Sequence, residues 1–182
     1  CGDARRTKIL NVDSENDEPT EIRTLQLSLS NKNNIFSTES SSLYTQKRGG
    51  VGSKLKLDNG EYVLSTKTVE SNEEVLFFAQ NGNYYHYSAG ALAINEKVAV
   101  EALFNIKNWE HICAFTSLNK KETKPYILFL TKKGMIKKSS IEEYNIKRAG
   151  SLKAITLDEG DEIVNVLFTD KEKVGILTMG GN

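Results

Sequence analysis

Short apolar runs separated by polar turns organise this chain. Such runs open at Leu25 ("LQLSLSNKN"), Val75 ("VLFFAQNGN"), Tyr126 ("YILFLTKKG") and Val174 ("VGILTMGGN"). They are rich in Leu, Val, Ile and Phe, and their length and flanking turn residues fit strands rather than helices. The second passes through an Asn-Gly bend into "YYHYS", and the third through Lys-Gly into "MIKKSS". Both are hairpin patterns. "LDEGDEIVNVLFT" adds an acidic turn that feeds a further strand. A helical stripe is hard to find. In "SSIEEYNIKRAG", Ile141 and Tyr144 share a face, and the segment reads as a loop or a single helical turn between strands.

The runs recur about every 50 residues. A shift of 100 residues superposes Lys32, Ser40, Tyr44, Lys47, Arg48, Gly50, Leu57, Asp58 and Gly60 on identical residues at 132, 140, 144, 147, 148, 150, 157, 158 and 160. The unit between the two is a weaker copy. This period is the size of a propeller-type blade. The chain is therefore expected to be all-β, an incomplete ring of about three blades (25–74, 75–124 and 125–173) with the first strand of a fourth at 174–182. A truncated radial array leaves one blade face partly uncovered, unless further chain follows or strands are exchanged between neighbours. Residues 1–24 stand apart: "CGDARRTKIL" is a short basic-apolar piece, and "NVDSENDEPTE" carries five acids and no base, the composition of a solvated linker.

Charge refines the picture. The 24 basic and 24 acidic residues cancel, so no global field attracts nucleic acid. Neutrality is partly an average, with net charges of −2 for 1–24, +2 for 25–70, −1 for 71–124 and +1 for 125–182. Two cysteines, Cys1 and Cys113, make neither a disulfide framework nor a metal-ligand set, so a reducing, cytoplasmic setting is expected. No apolar run approaches a membrane span, and the polar first residues carry no secretory pattern.

Against this neutral background "YTQKRGGVGSK" concentrates three cations and three glycines in eleven residues, 44–54. A nucleotide-binding phosphate loop needs Gly-Lys-Ser/Thr, but here Gly52-Ser53-Lys54 transposes the last two. Two readings remain. The segment is a solvated turn, or it is a backbone-gripping loop in which the glycines let main-chain N–H groups approach a phosphate while Lys47, Arg48 and Lys54 neutralise charge. Recurrence of Lys47, Arg48 and Gly50 as Lys147, Arg148 and Gly150 shifts the balance towards the second. Such contacts position a duplex without reading its sequence.

The same residues carry a resemblance. "QKRGGVG", Gln46 to Gly52, resembles the gyrase box, Gln-Arg-Arg-Gly-Gly-Lys-Gly, at five of seven positions. Lys47 is a conservative exchange, and Val51 removes a cation. "GDARRTKI" is similar to the end of the breakage-reunion core of bacterial type IIA topoisomerase A subunits, and "LFLTKKGMIKKSSIEEY", "KRAG" and "AITLDEGDEIVNV" are similar to a standard blade of their C-terminal domains. The resemblance covers nearly the whole chain. It implies a β-pinwheel, a propeller-like ring whose blades exchange strands and around whose outer rim DNA is wrapped. It implies DNA contact by Gln46, Lys47, Arg48, Gly49, Gly50, Gly52 and Lys54, and in the third blade by Lys132, Lys133, Lys137, Lys138, Lys147 and Arg148. The parent would be an ATP-dependent topoisomerase of the DNA gyrase or topoisomerase IV type, pairing with an ATPase B subunit in an A2B2 assembly. ATP and magnesium belong to that assembly and no cofactor to this segment. The nucleophilic tyrosine of the family lies in the preceding core, so this segment is expected to be non-catalytic.

The middle unit departs from the pattern. "SAGALAINEKVAVEALFNIKNWEHICAF" is nearly devoid of cations, and weak DNA contact is expected there. Tyr84, Tyr85 and Tyr87 read as strand residues facing core and rim alternately, and Trp109 as core. His86, His111 and Cys113 are too scattered for a zinc site. Glu142, Glu143, Glu159 and Asp161 read as solvated turn residues. A propeller-like protein-interaction module, with an exposed apolar groove in place of a basic rim, is the alternative from a different class.

Overall fold

The computed structural model describes residues 21–40, 55–104, 106, 110–119, 124–146 and 150–175. Its strands, in chain order, are β1 (Thr24–Ser30), β2 (Asn34–Glu39), β3 (Val63–Glu70), β4 (Glu74–Ala79), β5 (Asn83–Ser88), β6 (Glu96–Ala99), β7 (Ile112–Ser117), β8 (Tyr126–Thr131), β9 (Ile136–Ser140), β10 (Leu152–Lys153) and β11 (Ile163–Thr169). They form three antiparallel sheets, ordered β3-β1-β2-β6, β7-β4-β5-β10 and β11-β8-β9. The expected strands at Leu25, Val75 and Tyr126 are β1, β4 and β8. The expected strand at 174–182 falls mostly outside the described residues, and Val174 and Gly175 are not in a strand.

Sequence units and sheets do not coincide. Each of the first two sheets takes its fourth strand from the next unit. β6 crosses back to pair with β2 through Asn34–Ala99, Ile35–Val98, Phe36–Lys97 and Ser37–Glu96. β10 crosses back to pair with β5 through Leu152–Tyr84 and Lys153–Asn83. Strand exchange between neighbours is thus built into the topology.

The turns follow from backbone chemistry. Gly60 and Gly160, one hundred residues apart, both have φ of 72°, in the matching turns "LDNG" and "LDEG". At the β4–β5 bend Gly82 has φ of 83°, and its carbonyl accepts from the N–H groups of Ala154 (2.8 Å) and Ile155 (3.2 Å) as the chain leaves β10. A Cβ here would strike the Ile155 carbonyl oxygen. Gly82 is thus required twice, for its left-handed backbone and for the crossing of the third unit over the second sheet.

Burial explains why "VLFFA" is a continuous apolar run. Val75, Phe77 and Ala79 face the first sheet, in a core with Leu25, Leu27, Leu29, Ile35 and Val69. Leu76 and Phe78 face the third sheet, in a core with Ile127, Phe129, Tyr144, Ile155 and Ile163. A strand covered on both faces has no solvent side on which to alternate. This corrects the reading of the tyrosines. Tyr84 and Tyr85 are both buried, one in each core, and Tyr87 packs against the first. Trp109 lies outside the described residues. "SSIEEY" is a single 3₁₀ turn, Ile141–Tyr144, fixed by a capping box in which Ser140 and Glu143 exchange side-chain to backbone bonds. One short helix, α1 (Val100–Phe104), went unread in the sequence because five residues give too little periodicity.

An acid stands two residues before the last strand of each repeat unit: Glu61 before β3, Glu110 before β7 and Asp161 before β11. Each grips the hairpin formed by the first two strands of its own unit. Glu61 accepts from Ser30 Oγ (2.6 Å), Asn34 Nδ2 (2.7 Å) and the Asp58 N–H (2.9 Å). Glu110 accepts from Asn83 Nδ2 (3.2 Å) and the Tyr85 hydroxyl. Asp161 accepts from the N–H of Lys133 at 2.9 Å. These residues are structural, so the reading of Asp161 as a solvated turn residue gives way to a hairpin clasp. Glu61 also pairs with Lys97 Nζ (3.1 Å), which reaches Asp58 as well (2.6 Å), tying the exchanged strand β6 to the first sheet. Burial pushes the Glu61 carboxyl up, but the donors from Asp58, Ser30, Asn34 and Lys97 outweigh it and hold the group at about 2.

Two outcomes test this architecture. Phe78 touches the rings of Tyr84, Phe129, Tyr144 and Phe168. Phe78→Ala is expected to lower the unfolding free energy by ~3–5 kcal/mol in a urea titration, and a loss below ~1 kcal/mol would contradict the two-faced core. The depressed Glu61 stabilises the fold above the ordinary glutamate range, and that contribution fades as pH falls towards about 2. The stability gap between parent and Glu61→Gln should accordingly be widest near neutrality and narrow on acidification. A gap that does not change with pH would contradict the clasp.

Candidate nucleic-acid interface

The sheets have unlike edges. β7 packs beside β3 and β11, so these three strands form an inner edge. The opposite, outer edge is the exchanged strand in the first two sheets, β6 and β10, and β9 in the third. A polymer passing around the outside meets β6, β10 and β9 and the segments that enter them.

The first-unit residues Gln46, Lys47, Arg48, Gly49, Gly50, Gly52 and Lys54, with Lys147 and Arg148 of the third unit, lie outside the described residues. The chain on either side of the second pair is described. The 3₁₀ turn ends at Tyr144, Asn145 and Ile146 follow, and the chain resumes at Gly150 (φ 90°) and Ser151 before entering β10. In sequence, "KRA" therefore separates the buried Tyr144 turn residue, with Asn145 and Ile146 after it, from the outermost strand of the second sheet. Lys153 on β10 is exposed and was not singled out in the sequence. Its signal was available, since it follows "KRAGSL" at the point where the chain enters a rim strand.

The four remaining lysines separate into two groups. Lys132 and Lys133 sit at the β8–β9 bend and turn towards the acidic loop: Lys132 Nζ pairs with Glu162 Oε1 at 3.1 Å, and Lys133 Nζ donates to the Glu159 carbonyl. Lys137 and Lys138 lie on β9 and, as neighbours in a strand, on opposite faces. Lys137 Nζ donates to the Ala154 carbonyl at 2.8 Å. Lys138 lies over the Tyr126 ring at 3.9 Å and donates to the Glu172 carbonyl. Carbonyl and ring contacts leave a lysine its full charge, whereas the Lys132 pair is partly neutralised by its acid. The described cations on the outer strands are thus Lys137, Lys138 and Lys153, together with Lys97 on β6, which Asp58 and Glu61 neutralise.

In the second unit the connection between β5 and β6 is brief. It makes a 3₁₀ turn at Ala89–Ala91 and passes Asn95 at φ of 61°. Residues 89–95, "AGALAIN", carry no cation, so the entry into β6 lacks what the entry into β10 has.

Other chemistries find little footing among the described residues. No group of three or more His, Cys, Asp or Glu there could hold a metal ion. Cys113 is half-buried and donates to the Phe78 carbonyl at 3.3 Å, and burial pushes its thiol up to about 12, far from a reactive thiolate. Among the described residues no helix is long and apolar enough to cross a membrane.

Comparison with known proteins agrees with this architecture. The family model described as "DNA gyrase C-terminal domain, beta-propeller" matches residues 27–70 and 125–170, the first and third repeat units. The DNA gyrase A subunit of Mycolicibacterium smegmatis is 31% identical over 183 residues, covering 94% of this chain and 21% of that protein. The DNA gyrase A subunit of Streptococcus pyogenes serotype M3 is 28% identical over 174 residues, covering 91% of this chain and 21% of that protein. The chain thus spans about a fifth of the length of these relatives. Among solved structures, the C-terminal domain of a DNA topoisomerase IV aligns with a TM-score of 0.65 at 20% identity, covering 83% of this chain and 47% of that one. A DNA gyrase A C-terminal domain aligns at 0.58 and 19% identity, covering 80% and 48%. At these identities the structures speak for the fold, which is an all-β, propeller-like array of three open sheets, while the gyrase A relatives match more than nine-tenths of the sequence in order. The chain belongs to the DNA gyrase C-terminal domain family, the C-terminal domains of bacterial type IIA topoisomerase A subunits.

Proposed function

We propose that this domain holds duplex DNA against its outer edge without sequence preference, as the wrapping module of a gyrase-type A subunit. The observation that carries the reading is topological. The outermost strand of the second sheet is entered straight from a Lys-Arg-Ala-Gly segment, and the repeat sets a second Lys-Arg-Gly segment, 47–50, one hundred residues earlier. An outer edge approached through cation- and glycine-bearing segments suits a phosphate backbone, which needs charge and close main-chain approach but no shape-specific pocket. Lys137, Lys138 and Lys153 add charge on the neighbouring outer strands.

Bending is the cost that these contacts must offset. Smoothly bending a 20–30 bp site takes of order 1–6 kcal/mol. With a cation-free entry into β6 and Lys97 neutralised, grip would concentrate at the first and third units. In the parent enzyme such a wrap would present one duplex segment to another with fixed handedness, the requirement for negative supercoiling. That enzyme would work with an ATPase B subunit, drawing on ATP and magnesium held outside this domain. One sequence observation favours a second reading: Val51 stands where the box carries lysine, a weakening that suits decatenation and relaxation by a topoisomerase IV.

A gel-shift series with random-sequence duplex across salt concentrations is expected to show binding that weakens steeply as salt rises. If the full-length A subunit bound no duplex at low salt, the proposal would be overturned. Each phosphate contact contributes about 0.9 to the logarithmic salt slope, so Lys47→Ala with Arg48→Ala should reduce the slope by roughly 2. In the assembled enzyme the same pair should abolish supercoiling and spare relaxation. Unimpaired supercoiling would reject the box assignment, and a parent enzyme that decatenates but never supercoils would select topoisomerase IV.

A further inference from the structure

Away from the outer strands, where β3, β7 and β11 come together, the inner edge carries a half-open recess of about 410 Å³. Two lysines line it. Lys67 projects from β3, half-buried, its Nζ 4.7 Å from the centre of the Phe168 ring on β11. Lys124 enters from the segment before β8. Thr68, Thr116 and Ser117 line the same space, with the Thr116 hydroxyl turned to the Ser117 carbonyl. Among the described residues no carboxylate does, and neither lysine forms an ion pair.

This is an unusual use of lysine within the molecule. Lys97 and Lys132 turn to carboxylates, whereas Lys67 and Lys124 share a recess with each other. Desolvation and the nearby Lys124 charge both work against the Lys67 ammonium and lower its pKa. The aromatic ring under Lys67 offsets part of that cost, but it supplies no counter-charge. An anion bearing two charges and several acceptor oxygens, small enough for the recess, would complement the two lysines that line it. Two ammonium groups match a tetrahedral oxyanion, whose oxygens accept from several directions at once.

We propose that this inner-edge recess binds a small phosphate dianion between Lys67 and Lys124. The site is separate from the outer edge, so a duplex wrapped there would leave it open to solution. Phosphate binding at the inner edge requires no wrapping at the outer one.

Equilibrium dialysis of labelled inorganic phosphate against the full-length A subunit, with ionic strength held constant by chloride, reads the site directly. The parent should bind one more phosphate per chain than Lys67→Gln/Lys124→Gln. Lys124→Gln alone changes an exposed residue that packs in neither core, and it should weaken that phosphate roughly tenfold, the effect of losing one charged donor. Lys67→Arg/Lys124→Arg should retain it. Equal phosphate binding by the parent and Lys124→Gln would overturn the proposal. So would a Lys67→Gln/Lys124→Gln protein whose duplex binding falls with its phosphate binding, since the lysines would then serve the DNA contact. A failure of duplex binding in the parent, with the phosphate stoichiometry intact, would leave this site standing and remove only the wrapping reading.

Discussion

The structure depends on the burial of one sheet from both sides. β4 is the central strand of this arrangement, and its residues from Val75 to Ala79 are fully buried. Alternate side chains enter different cores, so the first and third sheets are fixed to opposite faces of the second. Their spacing is then set by the roughly 10 Å thickness of packed sheets. The outer sheets have no such symmetry. On the third, Ile136, Val164 and Leu167 remain exposed, the expected state of a blade whose far face has no packed neighbour among the described residues.

Stacking alone does not decide which chain segments face outward; the exchanged strands do. Because β6 and β10 come from the following unit, the connection that precedes each of them has to travel to the outer edge of the neighbouring sheet. The two exchanged strands are held by specific bonds. Ala154 and Ile155 anchor on the Gly82 carbonyl after β10, while Lys97 anchors β6 on Asp58 and Glu61. A cation that secures the exchanged strand is not free to neutralise a phosphate. The second unit thus commits its rim lysine to assembly, and the third unit exposes Lys153 in the corresponding strand.

Much of the fold was legible in the residues, because local chemistry and tertiary environment agree there. The apolar runs at Leu25, Val75 and Tyr126 are strands, and Gly82, Gly134 and Gly160 adopt the positive φ their turns required. What stayed hidden depends on contacts remote in sequence. Alternation suggested one wet face for Tyr84 and Tyr85, because nothing in "NYYHYS" reveals that a second sheet covers it. Asp161 resembled a solvated turn residue, since an acid beside glycine usually is one, and nothing local marked Glu61 or Glu110 as its counterparts. Their signal was positional, an acid two residues before the last strand in every unit, and it becomes visible only once those strands are located. The candidate interface divided along similar lines. Composition found the lysines at the β8–β9 bend, but it could not show that Glu162 and the Glu159 carbonyl engage Lys132 and Lys133.

Zero net charge is therefore a poor guide to what the surface can hold. Glu61, Glu110 and Asp161 clasp hairpins, Asp58 helps hold the exchanged strand, and Lys97 is consumed in that work. Other lysines lie on the outer strands, at Lys137, Lys138 and Lys153, or line the inner recess, at Lys67 and Lys124. Coulombic attraction between exposed groups decays within a Debye length of about 8 Å at physiological ionic strength. A bound phosphate consequently responds to the few side chains beside it rather than to the sum over the chain. Local placement thus sets lysines of a formally neutral domain on two unlike edges.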